Sequence, residues 1–213
     1  MTVAGVPAAL PSRGGWGEDA RPDPITGLVA FPDFHAALPL LLTEALVSGR
    51  LVGVAIGDVD HLKRYVEGSN AADPAQFGHL AGNAFMARLG VVCTSWFREQ
   101  PFPSGCVSTF GGDEVIVAVT LNEREEFPAA IAALRDRCSA KLPRTVSFAL
   151  AVVSSGTPGV RSRLVDPVAT ADLVLAGVDR TLFRRKAARR RRSDDGFVAA
   201  VELDLETGKH AVA

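Results

Sequence analysis

The 213 residues carry 23 Lys and Arg against 24 Asp and Glu, a formal charge of -1, with 47% hydrophobic and 22% charged residues. This balance excludes a disordered, fibrous or generally nucleic-acid-coating chain and fits one well-buried domain. There is no apolar run of about 18 residues and no charged-then-apolar leader, so the expectation is a cytoplasmic protein without membrane contact. Cys93, Cys106 and Cys138 follow no metal-like spacing and lie in apolar periodic segments, which reads as reduced core thiols.

Residues 1–22, rich in Gly, Pro, Ala and Arg, read as a flexible lead-in, and residues 23–213 as a single domain. The stripe Phe34, Ala37, Leu38, Leu41, Leu42 and Ala45 predicts a helix capped by Asp33, delayed or kinked at Pro39 and ended by Gly49. Leu51 to Val59 (LVGVAIGDV) is almost unbroken apolar, the pattern of a strand buried on both faces, and it stops at carboxylates. A polar loop is expected around Glu67 to Gln76, then a helix over Leu80 to Phe97 wrapped by neighbours. Cys106 to Phe110 and Val115 to Val119 flank Gly111 and Gly112, which predicts a hairpin. A helix should follow from Asn122 as cap, with Glu125 completing a capping box. Thr145 to Val153 predicts another strand, and Val168, Ala171, Leu175, Val178 and Leu182 a long helix running into the basic stretch Arg184 to Arg192. A last pair of short strands is expected within Phe197 to Leu205. The sum is an α+β fold in which a mainly antiparallel sheet carries helices.

Two acidic features converge. A buried strand ends in Asp58-Val59-Asp60, and a hairpin carries Asp113 and Glu114 directly after two glycines. Magnesium takes hard oxygen ligands, commonly one or two carboxylates plus substrate phosphates. Gly111 and Gly112 suit a turn with positive backbone dihedrals that lets a triphosphate or base lie against the main chain. Alone, each feature is most simply a solvated strand end or a hairpin turn; the order and topology of the two together point to nucleotide chemistry. Lys186 and Arg190 are one helical turn apart and point the same way, which suits one phosphate group as well as a solvated helix end. Nucleic-acid binding is the weaker reading, because no stacking aromatics are interleaved there.

The sequence resembles the GGDEF family of diguanylate cyclases over most of residues 23–190. Asp23 to Leu28 (DPITGL) is similar to the family's D-x-L-T-G-L, Asp58 to Lys63 (DVDHLK) to D-x-D-x-F-K, and Gly78 to Asn83 (GHLAGN) to G-H-x-x-G-D. Gly111 to Val115 (GGDEV) resembles the signature itself, Thr145 to Ala149 (TVSFA) the T-x-S-x-G strand, and Val178 to Lys186 (VDRTLFRRK) the A-D-x-A-L-Y-x-A-K helix. The resemblance implies a palm-like fold with a ferredoxin-like βαββαβ core. It implies Mg2+ or Mn2+ held by Asp58, Asp113 and the Val59 carbonyl, with Glu114 beside the reacting hydroxyl or second metal. The His61 and Leu62 amides and Lys63 would face the triphosphate, Asn83, Gly111 and Gly112 would line the nucleotide site, and Lys186 with Arg190 would clamp the outer phosphates. Two such domains meet head to head as a homodimer, each holding one nucleoside triphosphate, GTP by default, and condense them into a cyclic dinucleotide with release of pyrophosphate.

The departures from the pattern concern the base. Val66 stands where the family has an Asn that contacts guanine, and Asn83 where it has an Asp. An amide presents one donor and one acceptor group where a carboxylate only accepts. Asn70, in a loop longer than the family norm, is a candidate for the missing contact. Thr109 replaces the Arg before the glycines, Val115 the final Phe, and Leu28 to Phe31 (LVAF) the L-x-N-R; Phe102 and Gly105 occupy the places of the inhibitory R-x-x-D, so product feedback of that kind is not expected. These residues keep open a degenerate nucleotide-binding signalling module and a cyclase with changed base specificity, beside a palm acting on other nucleotides.

Overall fold

A computed structural model describes residues 10–14, 16, 19–72, 80–189, 195–207 and 210–212. The apolar run Leu51–Val59 forms β2 and takes the centre of the sheet, where neighbours on both edges satisfy its backbone. It pairs antiparallel with β4 (Glu114–Leu121) on one side and β5 (Val146–Val153) on the other. With β1 (Ser12–Arg13), β3 (Gly105–Gly111), β6 (Val198–Leu203) and β7 (His210–Val212), the order across the sheet is β1-β3-β4-β2-β5-β6-β7. Every pairing is antiparallel except β5 with β6.

Alternation along β2 divides its side chains between two cores. Val52, Val54 and Ile56 pack with Phe34, Leu38 and Leu42 of α1 (Phe31–Val47) and Val174, Val178 and Leu182 of α6 (Pro167–Arg189). Ala55 and Val59 face Phe85, Leu89 and Trp96 of α3 (Leu80–Glu99) and Phe127, Ile131 and Leu134 of α4 (Glu126–Lys141). The sequence β2, α3, β3, β4, α4, β5 is the expected βαββαβ core, with helices on both faces. A short α5 (Val160–Arg163) precedes α6.

Several boundaries differ from the sequence reading. α1 begins at Phe31 and runs through Pro39; Asp33 lies in its first turn and binds Arg21 (2.8 Å) instead of capping. Glu67 to Ala72, expected as loop, belong to α2 (Leu62–Ala72), because Tyr65 stacks edge-on against Phe85 (5.6 Å between centroids) and Lys63 pairs with Glu67 one turn on (3.8 Å). Residues 73–79, which complete that stretch, lie outside the described residues. α4 starts at Glu126 with no side-chain cap, so Asn122 stays in the preceding turn. Phe197 to Leu205 holds one strand, and the partner of β6 lies beyond it at β7. Within the lead-in, Ser12–Arg13 adds to the edge of β3, and Arg13 donates to the carbonyl of Arg98 (2.8 Å) while lying over the Phe97 ring (5.5 Å).

Candidate functional site at the end of the central strand

The acidic residues meet where β2 leaves the sheet. Asp58 lies directly across from Glu114 in the register with β4, so both side chains project to one face, toward α6. Val59 N–H donates to the Asp113 carbonyl (3.1 Å), which ties the hairpin turn to the strand end. The expected meeting of positions 58 and 113 is thus made by backbone, and the carboxylate facing Asp58 across the ladder is that of Glu114. Asp113 also lines the cavity beside the turn, and its charge is felt at Glu114.

Two residues of α6, seven apart and so on one face of the helix, complete the acidic side. The Asp179 charge acts on Glu114: burial first, then Asp179 and Asp113, lifts the Glu114 carboxyl from the ordinary 4.5 to about 7. Asp179 is itself raised by burial. Lys186 Nζ is in ion-pair contact with Asp58, lies 3.1 Å from Asp60 Oδ1, and donates to the carbonyls of Asp58 (3.2 Å) and Val59 (3.4 Å). The ammonium therefore sits among the Asp58 carboxylate and the Val59 carbonyl, the oxygens expected to hold a metal. Its partners show that these oxygens make a cation seat of hard donors, which suits magnesium. Among the described residues no group of three or more His, Cys, Asp or Glu forms a metal site by itself, so a divalent ion here would draw further ligands from backbone and substrate.

Sequence reasoning assigned no role to Asp60, which organises the floor beneath this seat. Only 3% exposed, it accepts from Thr145 Oγ1 (2.8 Å), Ser147 Oγ (2.8 Å) and Gly196 N–H (3.0 Å). Burial raises its pKa against the opposing pull of those donors. The signal was present in the D-x-D and T-x-S patterns, which the fold sets side by side: Val59 pairs with Val146 and Asp58 with Ser147.

The other wall is a cavity of about 660 Å³ between the hairpin turn, α2 and α3. Gly111 (φ 108°) and Gly112 (φ 63°) turn through left-handed backbone with open space at both missing Cβ positions. Thr109 Oγ1 accepts from Gly111 N–H (3.2 Å) and donates to the Glu114 carbonyl (3.2 Å), closing the hairpin where the register shifts. Lys63, Val66, Asn83 and Met86 contribute lining from the two helices. His61, with φ 57°, carries the chain from β2 into α2, whose N-terminus at Leu62 presents first-turn amides beside the strand end. Asn70 is on α2 but does not line the cavity. Phe102 is buried against Trp96, Phe97 and Phe127, and a side chain at Gly105 would strike the Ala118 backbone, so both positions are committed to packing. Arg190, Gly78 and His79 lie outside the described residues.

No family model matches the sequence. A curated relative, an uncharacterized signaling protein of Caulobacter vibrioides, is 29% identical over 171 residues covering 80% of this chain. The chain spans about a fifth of that relative's length (19%). Among solved structures, the GGDEF domain of DgcB from Caulobacter crescentus, in complex with c-di-GMP, is similar at a TM-score of 0.64 with 20% identity, covering 86% of this chain and 96% of that one. The FimX GGDEF domain from Pseudomonas aeruginosa gives 0.57 at 17% identity, covering 83% and 97%. The active GGEEF domain of a diguanylate cyclase from Vibrio cholerae gives 0.56 at 14% identity, covering 79% and 94%.

Proposed function

We infer that this chain, which has the fold of the GGDEF domains, is a metal-dependent nucleotidyl cyclase that joins two nucleoside triphosphates, GTP by default, into a cyclic dinucleotide. The observation that carries this reading is the convergence at one strand end of Asp58, Asp113 and Glu114 with an open double-glycine turn and a cavity of about 660 Å³. Asp58, the Val59 carbonyl and Asp113 are the residues that would hold Mg2+ or Mn2+. Bound there, the ion neutralises phosphate charge and acidifies an attacking hydroxyl. Glu114, with its pKa lifted to about 7, is matched to take the proton of a ribose 3′-hydroxyl as its oxygen bonds the α-phosphorus of a second nucleotide. The bond from that phosphorus to the β-phosphate bridging oxygen breaks, and pyrophosphate leaves. The first-turn amides of α2 and the Lys63 ammonium face the triphosphate, and Lys186, now on the Asp58 and Val59 oxygens, would be free to clamp the outer phosphates if those oxygens held an ion. Because each hydroxyl attacks the other nucleotide, catalysis requires a homodimer.

Lys186 among the metal-seat oxygens, together with Val66 and Asn83, favours a second reading: a domain that binds nucleotide and signals without turnover. Purified protein incubated with Mg2+ and each triphosphate singly, then in mixtures, with products weighed by mass spectrometry, separates the two. The cyclase reading expects a cyclic dinucleotide and a loss of about 100-fold or more in rate for Asp113→Ala. Turnover unaffected by Asp113→Ala removes the site proposed, and binding without any product selects the module.

A further inference from the structure

The cavity has a chemical character that its carboxylate-bearing rim does not share. On its helical walls Leu62 and Val66 stand one turn apart on α2 and face Met86 of α3. Val66 Cγ2 covers Gly82, where a Cβ would come within 3.4 Å. These surfaces suit the faces of a planar heterocycle. Asn83 is the polar side chain that α3 adds to this wall. The acidic groups nearby are directed elsewhere: Glu67 faces Lys63 (3.8 Å), and Asp23 Oδ1 is turned into its own loop, accepting from Ile25 N–H (3.1 Å), Thr26 N–H (2.7 Å) and Thr26 Oγ1 (2.8 Å).

An amide carries an acceptor and a donor side by side, and turning it end for end about its last torsion exchanges them. The six-position edge of guanine offers O6 as acceptor and N1–H as donor; the same edge of adenine offers N6–H as donor and N1 as acceptor. Asn83 matches either after one such turn, with the same number of hydrogen bonds. A carboxylate, which only accepts, matches the paired N1–H and N2–H donors of guanine and meets the adenine edge with a repelled lone pair. Val66 has nothing with which to read the purine two-position.

Resting on the nucleotide-site reading above, we propose that this pocket reads the six-position edge of a purine through Asn83 and leaves the two-position unread, so that guanine, hypoxanthine and adenine triphosphates are all substrates. The 2-amino group then contributes nothing to selection, and mixed triphosphates yield a mixed cyclic dinucleotide as well as the symmetric ones.

The test is binding of the 3′-deoxy forms of GTP, ITP and ATP, which lack the attacking hydroxyl and stay intact, measured by calorimetry on the full chain with Mg2+. The expected dissociation constants lie within about tenfold of one another, since each base makes the same number of bonds. In Asn83→Asp, at an exposed helix position that leaves the fold in place, GTP gains over ITP and ATP by about tenfold or more, the worth of one charge-assisted hydrogen bond. A wild-type spread beyond about tenfold in either direction, or no gain for GTP over ITP and ATP in Asn83→Asp, overturns the proposal. If none of the three binds, the triphosphate site itself is wrong, a failure distinct from that of its selectivity.

Discussion

The Lys186 ammonium holds together oxygens that would otherwise repel, and this makes it a competitor for any divalent ion at the same place. Without it, Asp58 is left as a partly buried charge lacking its cation, so Lys186→Met should destabilise the metal-free protein by about 2 kcal/mol. The same substitution should tighten Mn2+ binding by the nucleotide-free protein about tenfold, read by electron paramagnetic resonance of the free ion. An unchanged Mn2+ affinity would show that the lysine does not occupy the metal's seat. Glu114 supplies a second expectation at this scale. Its folded pKa of about 7 stands above the ordinary 4.5, so the folded state binds the extra proton between those values. The group therefore costs no stability below pH 4.5, and its contribution is lost as pH rises through 7. In chelator, Glu114→Gln should melt with the wild type below pH 4.5, draw above it as pH rises to 7, and keep that margin at higher pH; parallel melting curves between 4.5 and 7 would contradict the buried acidic pair. The acids at positions 58, 113 and 114 were legible because each follows a run of apolar residues or glycines. Asp179 was not singled out, because its importance comes from α6 lying over the strand end, a tertiary fact that helical spacing alone does not carry.

The four central strands β2 to β5 were read almost to the residue, because a segment buried on both faces has a composition no surface element shares, whereas the edge strands β1 and β7 were missed. The helices were less legible at their ends. α2 looked like loop because Gly68, Ser69 and Asn70 have weak helical preference, yet its first turns are held by Leu62 and Tyr65 against the α3 core. The cap expected at Asn122 failed because α4 begins where Phe127 can enter the core, one turn later. One glycine shows how closely an element can control the site. A Cβ at Gly90 of α3 would fall well inside contact distance of the Thr26 carbonyl, so α3 and the segment Asp23 to Leu28 touch backbone to side-chain-free helix. Backbone on that side cannot swing away as a long side chain would. Gly90→Ala should cost about 3 kcal/mol by urea unfolding, the upper part of the range for overpacking. It should also weaken nucleotide binding, since Thr26 and Asp23 wall the cavity. A stability within about 0.5 kcal/mol of wild type would mean that this close approach is not kept in solution.

At the scale of the whole molecule, the cyclase reading proposed above makes this site half of a reaction centre. A single cavity of about 660 Å³ at one strand end provides one acidic cluster and one double-glycine turn, while making two phosphodiester bonds reciprocally needs two of each. If the two halves come from two copies related by a twofold axis, activity depends on pairs of intact protomers rather than on their number. Mixing wild type with an equal amount of Asp113→Ala at constant total concentration makes the distinction quantitative. Random pairing leaves about one quarter of the dimers with two intact sites, whereas independent protomers would retain about one half of the activity. Specific activity of the wild type should also rise with protein concentration until dimers are filled, as mass action requires. A mixture holding half of its activity at every concentration would assign turnover to the single chain, and the acidic cluster of one copy would then have to serve both bond-forming steps.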